Sequence, residues 1–280
     1  MQIITRLPEL RRAIRSARKG YKSVGFVPTM GYLHHGHLAL VEASRKQCYT
    51  TVLSIFVNPK QFGLNEDLGN HPRDFERDGR LCRDAAVAIV FAPDVWEVYP
   101  AEFETSVEPG ELAQPLCGAF RPGHFRGVAT VVCKLFNMVQ PDVAFFGQKD
   151  FQQCAIVRRM AIDLNFPAQI VTVPTVREPD GLAMSSRNRY LGKQERPRAL
   201  AISRGLFTAD AEFRAGERDV AKLISSAMRH LKEVDRVQYL ELVDADTLKP
   251  AASPLNRPGA LCAAAYIGST RLIDNVVLTP

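Results

Sequence analysis

No apolar run in this sequence approaches the roughly 20 residues that a helix needs to cross a bilayer. The run Ala85–Ala92 is as long as such stretches become, so no membrane span is expected. No block of five like charges occurs either, and the net charge of +6 is spread over 280 residues. That pattern lacks the concentrated basic stripe and reading motif of a duplex binder, so no nucleic-acid partner is expected. A modest positive excess suits an anionic small substrate, and it suits a merely solvated surface as well. The six cysteines, Cys48, Cys82, Cys117, Cys133, Cys154 and Cys262, include no C-x-x-C pair. A zinc knuckle or dithiol couple is therefore not expected, and the thiols read as reduced and mostly buried. The N-terminus lacks the apolar core and small-residue cleavage site of a secretory signal. Its arginines, Arg11, Arg12, Arg15 and Arg18, accompany Leu7, Leu10, Ile14 and Ala17 at helical spacing behind Pro8. This reads as a packed amphipathic helix rather than a transit peptide, and a cytoplasmic location is the expectation.

What is present is an alternation of short β-rich runs with helical patterns. Strands are expected at Ser23–Val27, Thr51–Val57, Val87–Phe91, Val143–Phe146 and Gln169–Val173. Helices are expected at Leu38–Cys48, Phe75–Asp84, Gly127–Val139 and Phe151–Asn165. Strands apolar on both faces with crossovers of this length predict an α/β fold, a Rossmann-like doubly wound parallel sheet. Ligands of such sheets bind beyond the carboxyl ends of the strands. After about Val176 the pattern changes to two long helical stretches, Lys193–Ala215 and Asp219–Val234, and short strands near Gln238–Val243, Ala260–Ile267 and Arg271–Asp274. A boundary at 175/176 is thus expected, with 176–280 forming a smaller, lid-like α+β domain carrying a short antiparallel sheet turned at Gly268-Ser269.

The most informative stretch is Pro28-Thr29-Met30-Gly31-Tyr32-Leu33-His34-His35-Gly36-His37, which holds three of the six histidines. Gly31 and Gly36 have P-loop spacing, yet His37-Leu38 stands where Lys-Ser/Thr is needed, which excludes the Walker mechanism. No two glycines lie two residues apart anywhere, so the dinucleotide fingerprint G-x-G-x-x-G is excluded too. What remains is H-x-G-H at a helix N-terminus, where free N–H groups and the helix dipole favour an anion. Gly36 leaves room for close approach of a ligand to the backbone. The competing readings are simple helix capping and a metal site, the latter lacking further ligands at local spacing.

This segment resembles the nucleotidyltransferase superfamily, whose H-x-G-H signature binds the triphosphate of ATP. Four further motifs narrow the resemblance: Phe56-Val57-Asn58-Pro59-Lys60-Gln61-Phe62, Arg121-Pro122-Gly123-His124-Phe125-Arg126-Gly127, Phe146-Gly147-Gln148-Lys149-Asp150-Phe151-Gln152-Gln153 and Gly181-Leu182-Ala183-Met184-Ser185-Ser186-Arg187-Asn188. In this order, from Ile3 to the closing Leu272-Ile273-Asp274-Asn275, the sequence is similar to the pantoate-β-alanine ligase family. The resemblance implies ATP-dependent condensation of pantoate with β-alanine through a bound acyl adenylate, with Mg²⁺ accompanying ATP and a homodimeric enzyme.

For the site, the resemblance implies that His34, His37, Lys149, Arg187, Ser185 and Ser186 serve the chemistry. ATP is expected at Met30, Gly31, Tyr32, Leu33, His34, His35, Gly36 and His37, at Gly147, Gln148, Lys149 and Asp150, and at Val176, Met184, Ser185, Ser186 and Arg187. Pantoate and β-alanine are expected at Asn58, Gln61, His124 and Gln153, with His124 and Arg126 in a Pro/Gly-flanked loop. Physically, Lys149 at a strand's carboxyl end can neutralise a phosphoryl oxygen, and the neutral amide of Gln61 suits a hydroxylated acid. Asp150-x-x-Gln153 also scans as a capping box, and Met184–Arg187 as a mobile turn. Three positions depart from the family pattern: His35 and Gln148 replace acidic residues, and His71 stands where tyrosine is common. Protein ligands for Mg²⁺ are not assignable from the sequence.

Overall fold

The computed structural model describes residues 1–63, 68–69 and 72–280. It divides into two compact units, the first made of Met1–Ala113, Arg121–Gly147 and Gln153–Pro174. The second consists of Gln114–Phe120, Gln148–Gln152 and Thr175–Pro280. Compared with a single cut at 175/176, the second unit therefore also takes two short segments from earlier in the chain.

The first unit is built on β1 (Gln2–Ile4), α1 (Leu7–Ala17), β2 (Val24–Thr29), α2 (His35–Gln47), β3 (Thr50–Ile55), α3 (Phe75–Asp84), β4 (Ile89–Phe91) and α4 (Val95–Val98). After the short α5 (Cys117–Phe120), which belongs to the second unit, come α6 (His124–Val139), β5 (Val143–Gly147), α7 (Phe151–Asp163) and β6 (Gln169–Val173). The six strands form one sheet in the order β1-β4-β3-β2-β5-β6, every pair parallel. Strand β2 reads VGFVPT and is buried at all but one position, as a strand covered on both faces must be. Around it Val27, Leu33, Leu40, Val41, Leu53, Val90 and Phe145 form a buried cluster. In α1 the early Pro8 suits the first turn, and Leu10 and Ile14 supply the buried stripe, as the amphipathic reading expects.

Strand order reverses around β2: the chain moves outward from β2 through β3 to β4, then returns to β2's other side with β5. Such a reversal is where doubly wound sheets bind ligands, beyond the strands' carboxyl ends. Here β2 ends at Thr29 and leads to Met30–His37, while β5 ends at Gly147 and leads to Gln148–Asp150.

The second unit carries α8 (Glu195–Arg214), α9 (Val220–His230) and the antiparallel strands β7 (Arg236–Asp244), β8 (Gly259–Ile267) and β9 (Thr270–Leu278). The order is β7-β8-β9, with β8 and β9 joined at Gly268-Ser269, where Gly268 takes φ +56°. Its core joins Ile202, Leu206, Leu223 and Ala227 of the helices to Leu242, Leu261, Ala263 and Ala265 of the sheet.

Three local expectations are corrected. Strand β1 was not expected, because three residues are too few for a periodic signal. Helix α2 begins at His35 rather than Leu38, and α6 begins at His124 rather than Gly127, behind a left-handed Gly123 (φ +78°). His124 and Arg126 therefore sit in the first turn of a helix, not in a loop.

Candidate active site

The segment after β2 is held in an unusual path. Gly31 has φ +82° and Tyr32 φ +50°, a region that glycine enters without steric cost and tyrosine does not. A Cβ on Gly31 would stand 3.0 Å from Ile55 Cγ2 and 3.1 Å from Asp78 Oδ2, so a side chain here would also crowd both neighbours. The path is fixed by Asp78 on α3, whose carboxylate accepts the Tyr32 N–H at 2.7 Å and the Leu33 N–H at 2.8 Å. Arg77 donates to the Leu33 carbonyl at 2.9 Å, and Thr29 Oγ1 accepts from the Gly31 N–H at 3.2 Å. Burial pushes the Asp78 carboxyl upward, opposed by the N–H groups of Leu33 and Tyr32 and by Arg77. Asp78 was missed from sequence. Its only signal is an acid on the same helical stripe as buried Cys82.

The two histidines form a reciprocal cap on α2. His34 is the N-cap residue, in extended backbone, and its Nδ1 accepts the Gly36 N–H at 3.1 Å. His37 Nδ1 accepts the His34 N–H at 3.3 Å, and the rings lie 4.0 Å apart between centroids. Capping is thus real, and it sets the chemistry: a backbone N–H can only donate, so each Nδ1 is unprotonated and each neutral imidazole carries its proton on Nε2. The cap turns both rings into Nε2–H donors at a helix N-terminus. His35 between them is exposed.

Beyond β3, Asn58 is 1% exposed and hydrogen-bonded throughout. Its Oδ1 accepts from Tyr99 Oη at 2.9 Å and from the Lys60 N–H at 3.2 Å. Its Nδ2 donates to Gln61 Oε1 and to the Gly127 carbonyl, both at 3.0 Å. Burial raises the Tyr99 phenol well above its ordinary value, keeping it a protonated donor. Gln61 Nε2 lies 3.1 Å from Met30 Sδ, which joins this cradle to the segment after β2. His124 Nδ1 contacts the Gln61 main-chain carbonyl at 2.8 Å, and its Nε2 contacts Arg121 Nη1 at 2.9 Å. Arg126, by contrast, is exposed and paired with Glu108. Gln153 is half-buried in the first turn of α7.

In the second unit, the turn Gln148–Asp150 is clamped by β9. Asn275 Nδ2 donates to the carbonyls of Gln148 at 2.9 Å and Lys149 at 3.1 Å, while Gln148 Nε2 donates to Asn275 Oδ1 at 3.3 Å. Asp150 is exposed, 3.9 Å from Lys149 Nζ. Neighbouring Asp274 takes a two-pronged bond from Arg177, at 2.6 and 2.9 Å. Burial nevertheless pushes the Asp274 carboxyl upward, against the pull of Arg177. Arg177 also donates to the Gly181 carbonyl at 3.1 Å, and Val176 accepts the Met184 N–H at 3.0 Å. Ser185 Oγ caps the turn Ser186–Tyr190 by accepting the Arg187 N–H at 3.2 Å. Asn188 donates to Glu178 Oε1 at 2.7 Å and to the Ala183 carbonyl at 3.0 Å. The serine-arginine turn is thus braced at both ends. Asp274 and Asn275 appeared in the sequence as a closing motif, but their hold on Lys149 and Arg177 was not legible there.

The profile of the pantoate-β-alanine ligase family matches residues 2–277. The chain belongs to this family. It is 71% identical over 279 residues to pantothenate synthetase 1 of Bradyrhizobium diazoefficiens, covering 100% of this chain and 99% of that one. It is 53% identical to a pantothenate synthetase of Sulfurihydrogenibium, covering 99% of both. Among solved structures, the pantothenate synthetase of Thermus thermophilus superposes with a TM-score of 0.94 at 46% identity, covering 100% of both chains. The pantoate-β-alanine ligase of Francisella tularensis, solved with a β,γ-ATP compound and β-alanine, gives a TM-score of 0.80 at 30% identity, covering 99% of this chain and 97% of that one.

Against this family background two of the three departures acquire a structural account. Gln148 bonds Asn275 reciprocally, through its side chain and through its carbonyl, a pairing in which the amide nitrogen donates and a carboxylate has nothing to give. Exposed His35 takes no part in the cap its neighbours make. His71 lies outside the described residues. No helix among the described residues is long and apolar enough to cross a membrane.

Proposed function

We propose that this chain condenses (R)-pantoate with β-alanine at the expense of ATP, giving pantothenate, AMP and pyrophosphate. The observation that carries the reading is the histidine cap within a chain-long family match: both H-x-G-H imidazoles are locked as Nε2–H donors at a helix N-terminus. That is the form in which they donate to phosphate oxygens at neutral pH. The relatives' names state the product, and the Francisella relative was solved with both an ATP compound and β-alanine.

In the first half-reaction a pantoate carboxylate oxygen attacks the α-phosphorus, forming the P–O bond of pantoyl adenylate as pyrophosphate leaves. In the second, the β-alanine amine attacks the activated carbonyl, loses a proton, and AMP departs with the bonding pair. No side-chain nucleophile is needed, so the protein's contribution is positioning and charge stabilisation. His34, His37, Lys149 and Arg187 donate to the phosphates as charge builds on the leaving oxygen. Ser185 and Ser186 present the turn that carries Arg187. The main chain at Met30–Gly36, at Gly147–Asp150 and at Val176 and Met184 accommodates the nucleotide. Gln61 and Gln153 take pantoate.

Mg²⁺ enters with ATP, and when bound it offsets phosphate charge. Among the described residues no group of three or more His, Cys, Asp or Glu side chains could hold a metal ion, which suits an ion carried by the phosphates. Six free thiols suit a reducing cytoplasm, and a homodimer is the assembly implied by family likeness. The decisive experiment is mass spectrometry of a reaction without β-alanine. Enzyme-retained pantoyl adenylate with one equivalent of pyrophosphate is expected, and ATP turnover driven only by some other acid would overturn the reading.

A further inference from the structure

Asn58 and His124 were expected to meet substrate, but the geometry turns both toward Gln61. Resting on the proposed function, we infer that they are positioning residues. Together they make Gln61 present an N–H donor, so that the pantoate subsite selects an acceptor oxygen.

The polarity of Asn58 is dictated by main-chain groups that cannot change roles. The Lys60 N–H can only donate, so Oδ1 faces it at 3.2 Å. The Gly127 carbonyl can only accept, so Nδ2 faces it at 3.0 Å. Tyr99 Oη, at 2.9 Å from Oδ1, agrees with that assignment. The remaining Nδ2 hydrogen then goes to Gln61, whose oxygen must face inward and whose Nε2 must face the other way. There Nε2 meets Met30 Sδ at 3.1 Å. A thioether is a weak acceptor and an amide nitrogen carries two hydrogens, so a substrate oxygen competes readily for this donor.

His124 fixes the other end of the same residue. A guanidinium only donates, so Nε2 accepts from Arg121 and the ring proton sits on Nδ1, donating to the Gln61 carbonyl at 2.8 Å. The turn has no slack. A Cβ on Gly127 would lie 2.2 Å from the Lys60 carbonyl oxygen and 2.6 Å from Gln61 Cα. The main chain of Gln61 is therefore pinned by α6 and its amide by Asn58.

A double-mutant cycle tests this, with pantoate-dependent pyrophosphate release as the readout. Asn58→Asp offers Gln61 only an acceptor, which inverts the amide. The pantoate KM should rise about tenfold or more while the ATP KM stays within about twofold. In a Gln61→Ala background the same change should add less than about twofold. A full effect in that background, or none in the parent, would overturn the inference. Should Asn58→Asp fail to fold, the partly exposed His124 gives a second arm. His124→Phe should raise the pantoate KM, and His124→Asn, which keeps an N–H toward the carbonyl, should recover most of it; equal losses would overturn the inference. An inactive parent chain would overturn the functional reading itself, whereas an active parent with an additive cycle would overturn this inference alone.

Discussion

On the proposed function His37 has two jobs for its two nitrogens, and a substitution can separate them. Its Nδ1 accepts the His34 N–H, a duty that glutamine performs in ordinary capping boxes. His37→Gln should therefore keep stability within about 0.5 kcal/mol. It removes the Nε2–H donor, and losing one well-placed donor costs about a hundredfold to a thousandfold in rate. Thermal melts alongside pyrophosphate release check both halves, and full activity would show that the imidazole matters only as a cap. Lys149→Ala should likewise fold normally and lose adenylation by a similar factor. Asp78 calls for a different experiment, because it acts through main chain. Its two oxygens serve two N–H groups, so Asp78→Asn must set an NH2 against one of them. An unmet buried N–H costs about 1–3 kcal/mol. We expect reduced stability together with an ATP KM raised about tenfold. Lost stability with unchanged nucleotide affinity would show that the Gly31–Leu33 path does not report to the site.

At the scale of elements, the sequence's legibility depended on how local each signal is. The crossovers and buried strands were readable because VGFVPT and TTVLSI are uncharged, β-branched-rich runs set between helical patterns. The place of the H-x-G-H segment at a helix N-terminus was readable because the segment runs directly into the pattern of α2. The start of α6 was not, since Pro122-Gly123 reads as a turn until Gly123 is seen to be the left-handed residue on which the helix begins. Nor could Asn58 and His124 be assigned to Gln61 without coordinates, because the bonds that orient them span as many as 69 positions of the chain. The close seating of α6 on the Pro59–Gln61 turn makes a test of its own. Gly127→Ala places a methyl where the Lys60 carbonyl stands, and overpacking of this kind costs about 1–3 kcal/mol. Because the displaced backbone carries Gln61, pantoate affinity should fall further than ATP affinity in separate titrations. An equal fall in both would mean that the strain spreads through the whole first unit instead of staying at the turn.

For the whole molecule, the decisive fact is that the second unit is not a continuous stretch of chain. Gln114–Phe120 and Gln148–Gln152 belong to it, each inserted from sequence that otherwise builds the first unit. Both insertions are bonded into its fabric. Cys117 Sγ lies 3.2 Å from Tyr239 Oη and receives Arg271 Nη2 at 3.2 Å. Phe120 stacks on Tyr239 with ring centroids 6.1 Å apart, and Gln152 donates to the Pro115 carbonyl at 2.7 Å, tying one insertion to the other. The two bonds from Asn275 fasten the Lys149 turn to β9. A fragment of residues 175–280 keeps α8, α9 and the whole antiparallel sheet, so contact within its own stretch of sequence gives no reason for it to fail. It lacks every partner just named, however, leaving Tyr239 uncovered and Asn275 without its acceptors. Each hydrogen bond lost forfeits about 0.5–1.5 kcal/mol net, and ring surface returned to water costs about 25 cal/mol per Å², against the roughly 5–15 kcal/mol that a domain typically has in total. We therefore expect the isolated fragment to show helical circular dichroism without a cooperative melt and with poorly dispersed amide resonances. The intact chain should melt sharply. A fragment that melted cooperatively would mean that the core around Leu206, Leu223 and Leu261 suffices on its own, and that the inserted segments serve Lys149 rather than the fold.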